Sequence, residues 1–249
     1  MLSYVFCLIR SNRQPTIRRI SEGMPGGRDL RAIEVGEHLW AIVQSVPEAD
    51  YGETALARGL QNLDWVGPRA IAHERVIESF LSASALLPMH LFTLFTSDDR
   101  VVQHVHSAGT RIRRLLKRVE GKVEWGLRLT FDDRAARAKV SRRPVRSGTE
   151  FLARKREVLD IDRTRAKDAR GAADSVYRSM SRLATAAQRR TSLERAAAGS
   201  RLLLDAAFLV AVAKSGAFRS AARQRMRDLR TLGVTMSLTG PWPPYNFVE

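Results

Sequence analysis

The spacing of apolar positions changes several times along this chain, and each change marks an element. Tyr4 to Ile9 is an unbroken apolar run of the buried-strand type. The polar stretch from Ser11 to Arg28, with Pro15, Pro25, Gly26 and Gly27, reads as a loop. Arg31 to Val35 and Leu39 to Val43 are two further strands, the second stopped near Pro47. Gly67-Pro68 predicts a helix start, since proline's missing N–H has no partner to lose in a first turn. Ala70, His73, Ile77 and Phe80 then share one apolar face. Met89 to Phe95 is apolar on both alternating sets, which predicts a strand buried on both faces. Ser97 with Asp98 and Asp99 marks another helix start, because acidic groups favour that end of the helix dipole. This helix should reach about Glu120, with a break at Gly109 and a C-terminal cap at Gly121. Val123, Trp125, Leu127 and Leu129 then form one face of a strand from Lys122 to Phe131.

In order, the first part reads strand, strand, helix, strand, helix, strand, close to the split βαβ ferredoxin-like pattern with an extra early hairpin. Residues 1–132 are therefore expected to form a modified ferredoxin-like domain, with the charged stretch Asp132 to Arg146 as the boundary. Residues 133–249 are expected to form a helix-rich α+β domain. Ser147-Gly148-Thr149-Glu150 fits a capping box. Leu152, Leu159, Ala166, Ala173, Met180 and Ala187 then repeat every seven residues, with Ala169, Val176 and Leu183 three residues after members of that set. This alanine-rich stripe predicts a long helix pair packed within the chain. Leu202 to Ala213 reads as a buried strand and Ser215 to Thr231 as a helix with Ala217, Ala221, Arg225 and Leu229 on one side. Val234 to Leu238 should be the last strand. Beyond Gly240 the prolines 241, 243 and 244 lack ladder donors, so the tail is expected to be a polyproline-like strap pinned by Trp242, Tyr245 and Phe247.

Composition adds a charge asymmetry. The 249 residues carry 42 Lys+Arg against 26 Asp+Glu, a formal net charge of +16. Between Arg134 and Arg195 there are 18 basic and 7 acidic residues, net +11. Such a block suits an acidic partner, so a nucleic-acid-binding role through the Arg-rich helix 147–195 is the alternative functional reading. The 44% hydrophobic content is ample for a core. No apolar stretch approaches the length of a membrane span, since Leu202 to Ala213 is interrupted by Asp205. The single cysteine, Cys7, sits in an apolar run and reads as a small buried hydrophobe in a reducing, intracellular setting.

Candidate chemistry is sparse. His73-Glu74 opens like a zinc-protease motif, but Ile77 stands where the second histidine is required. His104 and His106 are two apart and cannot chelate together from one helix. Asp98-Asp99 and Asp132-Asp133 fall at element ends and read as caps or turns. Gly26-Gly27 is too short to cradle a phosphate, and Ser147-Gly148 lacks the flanking pattern of a nucleophile elbow. No catalytic, cofactor-binding or metal-ligating residue is assigned, and no enzyme is expected.

Several stretches resemble one family. Ala72-His73-Glu74-Arg75-Val76-Ile77-Glu78, Leu87-Pro88-Met89, Gly121-Lys122-Val123-Glu124-Trp125-Gly126, Ala207-Phe208-Leu209-Val210 and the terminal Leu238 to Phe247 (LTGPWPPYNF) are similar, in order, to segments of the gas vesicle protein F/L family. The resemblance implies a modified ferredoxin-like domain followed by a helix-rich α+β domain. It also implies an accessory role in gas vesicle assembly, in the cytoplasm or on the vesicle, with the major hydrophobic shell protein and other accessory proteins as partners.

Overall fold

Strand β1 (Leu2–Arg10) is the spine of the first sheet in the computed structural model of the chain, which describes residues 1–17, 23–132, 148–191 and 200–248. It pairs antiparallel with β3 (Leu39–Val46) on one side. On the other side it pairs with β4 (Ala85–Pro88) and β5 (Leu94–Phe95). Strand β2 (Arg28–Gly36) joins β3, so the order is β2-β3-β1-β4. A bulge between Val5 and Cys7 turns both Phe6 and Cys7 into one core, with Tyr4, Ile9 and Ile42. Val5, Leu8, Ala41 and Val43 face the opposite core.

Helices cover both cores, which is why β1 has no polar face. On one side lie α1 (Glu48–Tyr51), α2 (Glu53–Gly59) and α3 (Leu63–Glu78), contributing Tyr51, Ala72, Val76 and Ile77. On the other lie α4 (Asp98–Ser107) and α5 (Gly109–Val119), contributing Val101, Val105, Ile112, Leu115, Leu116 and Val119. The break at Gly109 and the cap at Gly121, with φ 64°, stand where the sequence puts them. Ser97 caps α4, its hydroxyl accepting from the Arg100 N–H.

Two local expectations are corrected. Helix α3 begins at Leu63, not at Pro68. The Asn62 side chain caps it by accepting the Asp64 N–H at 2.9 Å, and Pro68 lies inside the helix. The strand expected over Met89 to Phe95 is split. The ladder forms over Ala85–Pro88, stops after the proline, and resumes only at Leu94–Phe95. Between them the chain turns at Phe92, with φ 65°, while Met89 N–H still donates to the Phe6 carbonyl.

The strand expected to complete the first sheet belongs to the second. Strand β6 (Lys122–Asp132) lies between β8 (Ser200–Ala211) and β9 (Val234–Trp242), in the order β7-β8-β6-β9, with β7 at Ala186–Arg189. The fold is mixed α+β, with two sheets among the described residues, and the first sheet lacks β6 as the closing strand that the ferredoxin-like order calls for. The chain divides into two compact units, Met1–Val123 with Trp242–Glu249, and Glu124–Pro241. The charged stretch after Asp132 predicts a single boundary at 132/133; this division falls inside β6 and places the tail with the first unit.

In the second unit, helix α6 (Gly148–Ser181) packs on β8 and against α7 (Ser215–Arg230). Its buried stripe is Ala169, Ala173, Val176 and Met180. Leu152 and Leu159, earlier on the expected stripe, are exposed, and Ala187 lies in β7 because the helix ends at Ser181. Ser147 and the boundary stretch to Arg146 lie outside the described residues. The buried side of α7 is Phe218, Ala222 and Leu229; Leu229 is on the face read from sequence, while Phe218 and Ala222 take the places expected for Ala217 and Ala221. Phe218 decides this rotation, its ring lying 5.5 Å from Phe208 and 6.2 Å from Trp125.

The last strand continues through Gly240 and Pro241, joined by a cis peptide, to Trp242. A proline fits there because β9 is the outer strand of its sheet and one side needs no donor. After Pro244 the chain ends in a 3-10 turn, Tyr245–Phe247, rather than a polyproline stretch.

Candidate functional site

Among the described residues, three polar networks tie separate elements together. Tyr4 hydroxyl and His73 Nδ1 lie 2.8 Å apart, and His73 Nε2 is 3.2 Å from the Met89 carbonyl. The carbonyl can only accept, so Nε2 carries the proton and Nδ1 accepts from Tyr4. Tyr4 oxygen in turn accepts the Phe92 N–H at 3.2 Å. Burial lowers the His73 pKa to about 4, against a smaller upward pull from the Met89 carbonyl. The imidazole is thus held neutral. Burial also pushes the Tyr4 hydroxyl and Cys7 thiol well above their ordinary values.

The second network joins β1, β2 and the start of α4. Asp98 accepts from Ser3 Oγ at 2.6 Å and takes both arms of the Arg31 guanidinium at 2.6 and 2.9 Å. Burial would raise the Asp98 pKa, but the hydrogen bonds from Arg31 and Ser3 outweigh it and hold the carboxyl below its ordinary value. The third lies in the second sheet. Asp205, 6% exposed in the middle of β8, accepts from Arg128 at 3.0 Å and from Arg190 Nε at 2.9 Å. Burial again works upward, and the two arginines outweigh it. Arg190 lies beside Gly126, where a Cβ would sit 2.8 Å from Thr239 Oγ1.

The sequence candidates are thereby placed. His73 faces the core and Glu74 faces outward. The His104 ring lies 5.2 Å from Phe95, and His106 is exposed on the same helix. Gly26, with φ 72°, and Gly27 make a tight turn around Gln44, whose side chain accepts the Met24 N–H at 2.7 Å. Asp133 and Ser147 lie outside the described residues. Among the described residues no three His, Cys, Asp or Glu side chains are grouped to hold a metal ion. No described helix is long and apolar enough to cross a membrane.

The terminal strap is an internal fastening of the first unit. Phe247 is buried and lies under the Arg118 guanidinium, 5.9 Å from its ring centre. Tyr245 packs on one core and Val248 on the other, while Pro243 and Pro244 are buried. Trp242 is half-buried.

The rest of the candidate area is surface. Leu60, Leu63 and Ile71 are 56%, 84% and 60% exposed. Leu63 and Ile71 flank Gly67 at four-residue steps on the outer face of α3, and a Cβ at Gly67 would meet no atom within 4 Å. A helix started at Pro68 hides this stripe, because Leu63 then falls outside it. The basic block is distributed differently from the expected Arg-rich helix. Helix α6 itself carries 8 basic and 6 acidic residues, so most of the excess lies in segments beside it.

Comparison with known proteins agrees with the repeated resemblances in sequence. Residues 2–249 match the family described as "Gas vesicle synthesis protein GvpL/GvpF". A Streptomyces protein (strain CB03234), "Gas vesicle protein L", is 30% identical over 257 residues, covering 99% of this chain and 92% of its own length. In fold, the chain is similar to the crystal structure of gas vesicle protein GvpF from Anabaena sp. PCC7120. The TM-score is 0.68 at 14% identity, over 100% of this chain and 96% of that one. GvpF from Microcystis aeruginosa gives a TM-score of 0.66 at 12% identity, over 100% and 99% of the two chains. A match along the whole length, with the mixed α+β fold of two GvpF structures, places this chain in the GvpL/GvpF family of gas vesicle synthesis proteins.

Proposed function

We propose that this protein is a non-enzymatic accessory component of gas vesicle assembly that binds the major hydrophobic shell protein. The observation that carries this reading is the family match over residues 2–249. Two features of the structure support it. The buried His73 and Asp205 side chains are both engaged in hydrogen bonds within the fold. The exposed Leu60, Leu63 and Ile71 offer apolar area of the kind a hydrophobic protein can cover. On this reading the protein works in the cytoplasm or on the vesicle. The nucleic-acid alternative draws little support from α6, whose basic residues are interleaved with acids.

The test is capture and buoyancy. The tagged protein should co-purify with the shell protein from cells making vesicles, and cells lacking it should fail to float. A deletion strain with normal vesicles refutes the assembly role. Failure to capture the shell protein, from a protein that is folded, refutes the proposed partner.

A further inference from the structure

We propose that the outer face of α5 is a docking site for a short acidic protein segment. Its sequence puts Ile112, Leu115, Leu116 and Val119 into the core, and leaves Arg111, Arg113, Arg114, Lys117 and Arg118 exposed. Five positive charges and no acidic residue stand in eleven positions. Helix α7 carries five arginines and an aspartate in sixteen. Helix α5 is the most concentrated basic helix among the described residues.

The fold accounts for only part of this charge. Cations favour the C-terminal end of a helix, which accounts for Lys117 and Arg118. Arg111 sits in the first turn, where the dipole is positive, and no acidic residue accompanies it there. Arg111/Arg114, Arg114/Lys117, Arg114/Arg118 and Arg113/Lys117 are like-charge neighbours three or four positions apart, and such pairs destabilise a helix. None of the five forms an ion pair among the described residues. Arg113 reaches only Thr110, and the Arg118 guanidinium only the Phe247 ring.

The surroundings select the partner. The first unit as a whole holds 16 basic and 14 acidic residues, so this patch stands on a nearly neutral body. Seven helical positions span about 10 Å, so the charged strip is short. A strip of this length meets few phosphates of a duplex, and α5 exposes no aromatic side chain for base stacking. A membrane-surface helix needs an exposed apolar face, and that of α5 is already buried on the sheet. A segment with carboxylates three or four residues apart fits the strip in length and spacing. Arginine forks bind carboxylates in paired hydrogen bonds.

The test uses the full chain and a fluorescent Glu/Ala peptide of about twelve residues with carboxylates at three- and four-residue steps, carrying a photo-crosslinker. R111Q/R113Q/R114Q/K117Q is compared with R219Q/R223Q/R225Q/R227Q, which removes the same charge from α7. Crosslinks should fall on residues 109–122, and the α5 variant should bind roughly tenfold more weakly, with the α7 variant within about threefold of the parent. Crosslinks concentrated in the second unit, or equal weakening by both variants, overturn the proposal. A duplex oligonucleotide and anionic phosphatidylglycerol vesicles are run alongside. If either binds through α5 and the peptide does not, the proposal also falls. Both variants change exposed side chains and should keep the parental circular dichroism spectrum. The site stands apart from the assembly role: peptide binding tests α5, whereas buoyancy of a deletion strain tests assembly.

Discussion

Lowering the pH from 7 to 5 should weaken the first unit through His73 before the Asp98 and Asp205 carboxylates add to the loss. The folded pKa of His73 is about 4, set by burial. An unfolded histidine titrates near 6.5. The unfolded chain therefore takes up a proton first, and stability falls as pH drops. The contribution is complete above about pH 6.5 and exhausted near the folded value. At about 1.4 kcal/mol per pKa unit, the full loss is about 3.5 kcal/mol, of which roughly 2 is gone by pH 5. Asp98 and Asp205 have folded values below 3.8, so their contribution is lost as pH falls from about 5, where unfolded carboxylates begin to take up protons, through those folded values, and the His73 loss comes first. Urea titrations at pH 7, 6, 5 and 4.5 measure this, with His73→Gln as reference. Glutamine retains a donor and an acceptor but cannot titrate. The difference between parent and variant isolates the imidazole. If both lose stability with the same slope between pH 6.5 and 4.5, the neutral, hydrogen-bonded His73 is wrong.

Other perturbations separate the remaining claims. Phe247→Ala should cost about 3–5 kcal/mol in urea unfolding, as for any fully buried aromatic, and a loss under 1 would mean the strap is not fastened. Asp205→Ala removes the buried carboxylate to which Arg128 and Arg190 both donate, and should cost about 3 kcal/mol. Asp174→Ala, which breaks an exposed pair with Arg189, should cost under about 1 kcal/mol; equal effects in thermal melts would contradict the difference in burial. Neutralising Arg111, Arg113, Arg114 and Lys117 together should stabilise the protein by about 1–2 kcal/mol, since four like-charge contacts of about 0.2–0.5 kcal/mol each are removed. The gain should fade in about 1 M salt, where screening reaches only about 3 Å, and a destabilised variant would show the charges to be structural.

Elements whose faces are set by local spacing were legible. β1, β2, β3, β6, β8 and the α4–α5 pair stand where the pattern predicts, because uninterrupted apolar runs and Gly or Ser caps act within a few residues. The misses came from partners distant in sequence or from single side chains. Pro68 reads as a helix start only if Asn62 is overlooked, and Asn62 is a cap because its side chain reaches the Asp64 N–H. β6 looks like the close of the first sheet until β8 and β9 are placed on its two sides. The first turns of α7 are rotated from the expected face because the heavy residue, Phe218, outweighs Ala217 and Ala221. The tail reads as strand-incompatible, yet an outer strand has one side that needs no donors.

The candidate site was legible as charge but not as geometry. Sequence counts located the positive excess between Arg134 and Arg195, and that count is right. It cannot tell an interleaved surface from an unbalanced one. Helix α6 holds nearly as many acids as bases, and at three- and four-residue steps opposite charges can neutralise one another along a solvated helix. Helix α5 adds less to the total but has no internal counter-charge, and its apolar face is buried, so all five cations point the same general way. A partner feels the local field within about 8–10 Å at physiological salt. The relevant quantity is charge per exposed face, which requires knowing which residues are buried. By that measure the near-neutral first unit, and not the strongly basic second, carries the sharper electrostatic feature.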